Sequence, residues 1–180
     1  MIDVVFINPA SSKEVYQNLS EKYSAIGTPY WALLLAESCR SKGHKVKIID
    51  VLAEKLDDDT FVKRVFDIDP KLVVFCVYGE SVNGGTAYME GAVRLSKLLK
   101  DSGFQNPLAP ISFVGTYVQA LPLKVLVDEE SVDIVFTNEG VYSLWEILKL
   151  SRTEIQNIDD LQKIKGIGYR IDEPHKKTQI

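Results

Sequence analysis

The sequence has few of the residues that build metal sites. Its 180 residues include two cysteines and two histidines. Cys39 falls in a helical pattern and Cys76 in an apolar strand pattern, and at such positions cysteine commonly acts as a small hydrophobic residue. His44 and His175 are isolated from any other histidine or cysteine at the spacings that zinc motifs use. We therefore expect both cysteines to be core residues, and we expect no zinc site.

Long apolar runs and an excess of positive charge are also missing. No apolar run approaches the roughly 18 residues that a membrane-spanning helix needs, and Met1-Ile2-Asp3 lacks the basic region of a signal peptide. The formal net charge of -4 gives no electrostatic reason to expect nucleic acid or an anionic membrane as a partner. We therefore expect a cytoplasmic protein that binds neither of them.

What is present is the composition of an ordinary globular protein. Hydrophobic residues make up 46% and charged residues 26% of the chain, which disfavours disorder, collagen and coiled coil. A length of 180 residues suits one domain, with or without a small appendage. The core-forming pattern weakens after Leu150, so we assign residues 1–150 to an α/β domain and residues 151–180 to a C-terminal extension or linker.

The strongest single pattern is an unbroken apolar run at residues 72–77, which predicts a strand buried on both faces. Four other short apolar runs alternate with helical patterns, at residues 2–7, 46–51, 111–114 and 132–136. Alternation of this kind predicts an α/β fold: a doubly wound, Rossmann-like or flavodoxin-like sheet of five parallel strands in the order 2-1-3-4-5, with helices on both faces. We expect Phe75, in the central strand, to be buried.

Ligands of such sheets bind beyond the carboxyl ends of the strands. The segments that follow the predicted strands there contain small, polar and aromatic residues, namely Asn8, Pro9, Ala10, Ser11, Tyr78, Gly79, Glu80, Ser81, Gly84, Gly85, Gly115, Thr116, Tyr117, Asn138, Glu139 and Gly140. The same residue types also form ordinary turns. Gly84 and Gly85 either let the backbone approach a ligand or make a turn before a helix. The long polar segment at residues 13–28 is typical of a lid or a ligand-contacting loop.

Helix boundaries can be predicted at three places. Thr28 offers an N-cap hydroxyl and Pro29 a first helical residue, and this helix is expected to end at Gly43. The acidic residues 57–59 suit the N-terminus of the next helix, where they complement the helix dipole. This interpretation of the acidic run makes a metal unnecessary.

Three ligand-binding classes that share this architecture fit the sequence poorly. A dinucleotide site would use Asp50 for the ribose, but residues 8–12 contain no glycine for the phosphate turn, so we interpret Asp50 as a solvated acid at a strand end. A receiver domain needs an aspartate at the end of the third strand, where this chain has Tyr78-Gly79. A flavodoxin needs a hydroxyl-rich phosphate-binding loop after the first strand, and Ser11-Ser12 matches such a loop only weakly.

Several stretches together resemble one family. They are residues 46–50 after Gly43-His44, residues 115–122 with Ala120-Leu121-Pro122, residues 132–135 followed by Asn138-Glu139-Gly140, and Gly166-Ile167-Gly168-Tyr169-Arg170. Their order and nearly full-length extent are similar to the N-terminal cobalamin-binding domain of cobalamin-dependent radical S-adenosylmethionine enzymes. In that family a following barrel binds a four-iron cluster through a Cys-x-x-x-Cys-x-x-Cys motif, and the enzymes perform methyl transfer or related radical reactions.

The resemblance implies a cobalamin-binding role with two departures. The chain has no Cys-x-x-x-Cys-x-x-Cys motif, so the iron-sulfur cluster and S-adenosylmethionine would belong to a missing downstream barrel domain, and the chain alone would not be catalytic. It also lacks the Asp-x-His-x-x-Gly motif that ligates cobalt in other cobalamin enzymes, because neither His44 nor His175 stands in that context. The resemblance therefore implies a corrin held without a protein histidine on cobalt.

The resemblance also suggests where cobalamin would bind. Its flat ring would lie over the strand ends and contact the residues given above for the carboxyl edge, and Tyr78 or Tyr117 would pack against its nucleotide tail. The alternative is a non-catalytic interaction domain that retains the fold without a cofactor. Because one fold serves many functions, the fold cannot decide between these two hypotheses.

Overall fold

The computed structural model describes residues 2–9, 26–78, 82–103 and 109–171, with the backbone alone for residues 82–87. Within these residues the chain folds into a single six-stranded sheet with helices on both faces. The strands are β1 (Ile2–Asn8), β2 (Val46–Asp50), β3 (Pro70–Cys76), β4 (Ile111–Val114), β5 (Ile134–Phe136) and β6 (Ile167–Tyr169).

The helices alternate with the strands up to β5. They are α1 (Tyr30–Arg40), α2 (Asp58–Ile68), α3 (Val82–Asp101), α4 (Thr116–Ala120), α5 (Pro122–Asp128) and α6 (Val141–Lys149), followed by a 3-10 helix (Glu154–Gln156) and the short α7 (Ile158–Leu161). None of the described helices is both long enough and apolar enough to cross a membrane.

The sheet has the strand order β2-β1-β3-β4-β5-β6. Strands β1 to β5 are parallel, which confirms the predicted order 2-1-3-4-5. The predicted total of five strands is wrong, because β6 adds an antiparallel strand to the free edge of β5, where Ile167 pairs with Phe136 and Tyr169 with Ile134. An antiparallel edge strand on a parallel sheet is common in doubly wound folds, but three residues are too few to give a clear periodic pattern.

Strand β3 lies at the centre of the molecule, and all seven of its residues are buried. Its side chains alternate between two hydrophobic cores. Phe75 faces the core formed with α2, α3 and α5, and Val74 faces the core formed with α1 and α6. Phe75 has no exposed surface, as predicted, and its ring centroid lies 5.3 Å from that of Phe113 on β4. The apolar run thus serves both faces of the sheet.

The helix boundaries agree in part with the predictions. The Asp57 carboxylate accepts a hydrogen bond from the backbone N–H of Thr60, so the acidic run does cap α2. Gly43 adopts φ +86 in the turn that ends α1. The predicted Thr28 cap is wrong: α1 begins at Tyr30, and Thr28 contributes its carbonyl oxygen to the N–H of Tyr30 instead of its hydroxyl to the helix.

Residues 151–171 pack onto the sheet. Ile155, Leu161, Tyr169 and Ile171 are buried in the same core as α1 and α6. This segment follows α6, and Lys71 of β3 binds the end of that helix. The buried Lys71 ammonium group donates hydrogen bonds to the carbonyl oxygens of Leu148 and Leu150, and the bond to Leu150 is 2.9 Å long. Residues 172–180, the end of the predicted C-terminal extension or linker, lie outside the described residues, and the division at residue 150 stays a prediction.

Candidate functional site

The carboxyl ends of β1, β3, β4 and β5 meet at one edge of the sheet because these strands are parallel. The predicted site residues that the structure describes at this edge are Asn8, Pro9, Tyr78, Gly115, Thr116, Tyr117, Asn138, Glu139 and Gly140. Ala10, Ser11, Gly79, Glu80 and Ser81 lie outside the described residues. The segment at 13–28 is described only from residue 26, so its predicted role as a lid stays a prediction.

Tyr78 connects three parts of this edge. It follows β3 by two residues, and only 5% of it is exposed. Its hydroxyl donates a hydrogen bond of 2.9 Å to Glu139 Oε2, and the Tyr78 hydroxyl oxygen in turn accepts a hydrogen bond of 3.4 Å from Gln119 Nε2. Burial, and then the hydrogen bond to Glu139, raise the pKa of the phenol above its ordinary value. Tyr78 is therefore a neutral hydrogen-bond donor, and its hydroxyl is bound by Gln119 of α4 and by Glu139 in the loop after β5.

A small cavity lies between the ends of β1 and β3, where the winding direction of the sheet reverses. Its volume is about 70 Å³, and its lining includes Asn8, Cys76, Tyr78 and Tyr88 together with residues 27–32 at the start of α1. Sites for whole small-molecule ligands usually measure roughly 300–1,000 Å³. The cavity has room for a fragment of a larger ligand, which would rest mostly on the surface of the edge.

Trp31, which also lines this cavity, stacks on the Tyr78 ring. The two rings stack with 4.4 Å between their centroids and 16° between their planes. The sequence did not indicate Trp31 as a site residue, because a tryptophan at helical spacing is also typical of a core-facing side chain; in the structure it is 39% exposed. A tryptophan in the first turn of the helix after β1, next to the switch point of the sheet, is the signal that would have identified it.

Gly115 has a role within the protein itself. It adopts φ +152, and a β-carbon at this position would lie 2.0 Å from the carbonyl oxygen of Val77. The absence of a side chain thus allows the start of α4 to pass close to the backbone at the end of β3. This contact accounts for the glycine without a ligand. The predicted role of Gly115 in leaving clearance for a cofactor stays a prediction.

Thr116 and Tyr117, which follow Gly115, differ in how available their side chains are for contact with a ligand. The Thr116 hydroxyl oxygen is buried, and no hydrogen-bond partner for it exists among the described residues. A buried hydroxyl without a partner is costly, so this atom is suited to a ligand or an ordered water molecule. Tyr117 is partly buried and packs against the core that contains Phe75. Of the two, Thr116 is the better candidate for ligand contact.

The loop after β5 is shaped by its own hydrogen bonds. Asn138 Oδ1 accepts a bond of 2.8 Å from the backbone N–H of Gly140, which adopts φ +77 immediately before α6. The Asn138 amide also lies against Gly166, where a β-carbon would approach Nδ2 to 2.1 Å. These contacts give Asn138 and Gly140 structural roles, and they present Glu139 to the Tyr78 hydroxyl.

Two expectations at this edge need correction. Gly84 and Gly85 do not form a turn before α3, because the helix begins at Val82 and contains both. Asp50 is not solvated: it is 8% exposed, and its carboxylate accepts a hydrogen bond from the backbone N–H of Ala53. The acid stabilises the tight turn after β2, a local role that short polar side chains often have.

His44 lies at the opposite edge of the sheet. Its Nδ1 is 4.0 Å from the carboxylate of Asp3, near the start of β1. The carboxyl edge, where β1 ends at Asn8, is separated from it by the length of the strand. Within the described parts of the chain, no group of three or more histidine, cysteine or acidic side chains could hold a metal ion. His175 lies outside the described residues.

The fold matches solved structures of two enzymes. One is TsrM from Kitasatospora setae, a radical S-adenosylmethionine methyltransferase, in a structure with cobalamin and a four-iron, four-sulfur cluster bound. This match has a TM-score of 0.66 at 16% identity, and it covers 96% of this chain and 30% of TsrM. The other is OxsB, a cobalamin-dependent S-adenosylmethionine radical enzyme, with aqua-cobalamin and S-adenosylmethionine bound, at a TM-score of 0.65 and 16% identity, covering 100% of this chain and 22% of OxsB.

No protein-family model matches the chain, and no curated protein matches its sequence. At 16% identity, the likeness to TsrM and OxsB shows a shared fold. The chain spans less than a third of the length of either enzyme. The structural neighbours are thus cobalamin-dependent radical S-adenosylmethionine enzymes, the class that the sequence motifs resemble, and this chain corresponds in fold to one part of them.

Proposed function

We propose that the chain is the cobalamin-binding domain of a radical S-adenosylmethionine enzyme that performs methyl transfer or related radical chemistry. The observation that carries this proposal is the match of nearly the whole chain to a part of TsrM and of OxsB, both in structures that contain cobalamin. The motifs quoted from the sequence support the same assignment independently of the fold comparison. As in other doubly wound sheets, the ligand site is expected at the carboxyl edge.

The described residues at this edge fit such a cofactor. Thr116 has a buried hydroxyl without a partner among the described residues, which is suited to one polar group of a ligand. Asn8 and Tyr78 line the cavity at the switch point, where Trp31 stacks on the Tyr78 ring. Because the volume of the cavity is only about 70 Å³, most of a corrin would lie over the edge of the sheet, and only part of the cofactor's nucleotide tail would enter the cavity.

The remaining predicted contacts belong to the proposal as well. They are Pro9, Ala10, Ser11, Gly79, Glu80, Ser81, Gly84, Gly85, Gly115, Tyr117, Asn138, Glu139 and Gly140, all in the segments that follow strands of the sheet. When bound, cobalamin supplies the redox and methyl-transfer chemistry of its cobalt. The residues of this chain bind and orient the cofactor, and the Tyr78–Glu139 hydrogen bond holds the aromatic face in position.

No histidine of this chain is proposed as a cobalt ligand. His44 lies at the amino edge of the sheet, beside Asp3 and far from Thr116. The iron-sulfur cluster and S-adenosylmethionine would be bound by a barrel domain in the parent protein, because this sequence contains two cysteines and the cluster motif needs three. We propose that the parent enzyme is cytoplasmic and that this domain binds neither nucleic acid nor membrane.

Absorbance titration of the 180-residue chain with hydroxocobalamin tests the proposal. Binding changes the environment of the corrin, so we expect a saturable change in its visible spectrum and retention of the cofactor after gel filtration. A non-catalytic interaction domain that has kept the fold without the cofactor would leave the spectrum unchanged at every protein concentration. That second result would favour the alternative over the cobalamin-binding assignment.

A further inference from the structure

Trp31 stacks on one face of the Tyr78 ring at the cavity of the switch point. The stacking is close to parallel, with 16° between the ring planes and 4.4 Å between the centroids. Both residues line the cavity, together with Tyr88 from α3. A flat ring that took the place of the Trp31 indole would therefore find the same aromatic face of Tyr78 to stack on.

The two stacked residues are held very differently. Tyr78 is 5% exposed, and its hydroxyl is bonded to Glu139. Trp31 is 39% exposed, and its indole N–H makes no hydrogen bond within the described part of the chain. Trp145, by contrast, donates its indole N–H to Ser38 Oγ at 2.9 Å. Among the described residues, the stack on Tyr78 is the ring contact that Trp31 makes.

The helix that carries Trp31 is anchored independently of it. Ala32, Leu35 and Ala36 have at most 2% exposure and pack α1 against β1 and β3. The Trp31 side chain can therefore rotate away from Tyr78 without moving α1 or opening the core. This separation between a fixed helix and a loosely held ring is what a movable side-chain gate requires.

We propose that Trp31 is a gate over the cavity and that Tyr78 is its fixed floor. In the closed state the indole occupies the aromatic face, and a planar group of the ligand replaces it there when the side chain swings out. The identity of the ligand rests on the proposed function, in which that group belongs to cobalamin. The gate itself rests on the geometry of Trp31, Tyr78 and the cavity.

Stopped-flow absorbance with hydroxocobalamin measures the effect of the gate. An aromatic pair contributes about 0.5–1.5 kcal/mol, so Trp31→Ala should raise the association rate constant by roughly 2- to 13-fold. Trp31→Phe keeps a stacking ring and should stay within about twofold of the parent. Leu34→Ala is the matched control, because Leu34 is a 62% exposed residue of the same helix and should leave the rate unchanged.

Fluorine NMR of protein labelled with 5-fluorotryptophan gives a second readout that does not depend on rates. The chain has two tryptophans, so Trp145→Phe assigns the Trp31 resonance. Saturation with hydroxocobalamin should increase the H₂O/D₂O isotope shift of Trp31, which reports solvent exposure, and leave that of Trp145 unchanged.

If cobalamin binds but Trp31→Ala does not accelerate association, or if the Trp31 isotope shift stays constant, the gate is wrong and the binding assignment stands. If the corrin spectrum changes with none of the proteins, the binding assignment is wrong, and the gate fails with it.

Discussion

Gly115 lies against the backbone of Val77 so closely that a β-carbon on Gly115 would stand 2.0 Å from the Val77 carbonyl oxygen. The carbonyl belongs to the chain that leaves β3, and Gly115 begins the turn into α4. The two elements that border the candidate site are therefore held together by a contact that only glycine permits.

Gly115→Ala should strongly destabilise the protein, because the new methyl group would overlap backbone atoms that cannot rotate away. We expect a loss of more than about 4 kcal/mol in the free energy of unfolding, the range that marks a specific steric defect. Urea unfolding followed by circular dichroism measures it.

Gly43→Ala is the matched control for this effect. Gly43 also has a positive φ, of +86, but nothing lies within 4 Å of its virtual β-carbon. Only the backbone strain remains, so the expected cost is about 1–2 kcal/mol. Equal costs for the two variants would contradict the close contact between Gly115 and Val77.

Tyr78→Phe should alter the pH dependence of stability. The variant keeps the ring that stacks on Trp31 but loses the hydrogen bond to Glu139, which should cost about 1 kcal/mol at pH 8. In the folded parent the pKa of Tyr78 is raised, so above pH ~10 the unfolded phenol ionises while the folded one stays protonated. The parent should therefore lose stability relative to Tyr78→Phe by about 1.4 kcal/mol per pH unit above 10.

Urea unfolding of the two proteins between pH 8 and pH 11 provides this comparison. Taking the difference between parent and variant cancels the lysines and other tyrosines that titrate in both. A difference that stays constant across the whole range would show that the Tyr78 phenol has an ordinary pKa and is not buried against Glu139.

Phe75→Ala should cost about 3–5 kcal/mol, because a fully buried aromatic ring between β3 and the helices would leave a cavity beside Phe113. Leu123→Ala, at a residue of α5 that is 49% exposed, should cost less than about 1 kcal/mol. Thermal unfolding of both variants measures the contrast. Similar costs for both would mean that β3 is not the centre of the core.

The two cysteines should be inert in the folded protein. Burial raises the pKa of the Cys39 thiol to about 12, and it also raises the pKa of Cys76 in β3. Since the thiolate is the reactive form, the native protein at pH 8 should react with a disulfide reagent at least about 10³-fold more slowly than protein in guanidinium chloride. Fast reaction of one thiol in native buffer would place that cysteine at the surface.

The sheet could be predicted from the sequence because its strands are continuous apolar runs. Residues 72–77 are buried on both faces in the fold, and a run of that kind has few other interpretations. The sixth strand could not be predicted to join the sheet, because Ile167–Tyr169 is short and is stabilised by its partner β5 more than by its own pattern.

The sequence could predict which edge of the sheet carries the candidate site, but not how the side chains at that edge are arranged. The alternation of strands and helices fixes which loops come together, and these loops include Tyr78, Thr116 and Glu139. The alternation says nothing about side-chain partners, so the Tyr78–Glu139 bond and the Trp31 stack appear only in three dimensions. The burial of Asp50 was missed for the same reason, since a local turn satisfies the carboxylate and removes it from solvent.

The central claim is that cobalamin binds at the carboxyl edge with no histidine on cobalt, and two variants test it together. Thr116→Val removes a hydroxyl that has no partner among the described residues, so it should leave the fold intact, and it should weaken hydroxocobalamin binding by roughly 2- to 12-fold if that hydroxyl bonds the cofactor. His44→Ala removes a side chain at the opposite edge and should bind like the parent.

Equilibrium absorbance titration of the parent, Thr116→Val and His44→Ala with hydroxocobalamin is the measurement that tests this claim most directly. The account predicts saturable binding by all three proteins, with equal dissociation constants for the parent and His44→Ala and a larger one for Thr116→Val. Binding lost in His44→Ala and unchanged in Thr116→Val, or no binding by the parent, would contradict it.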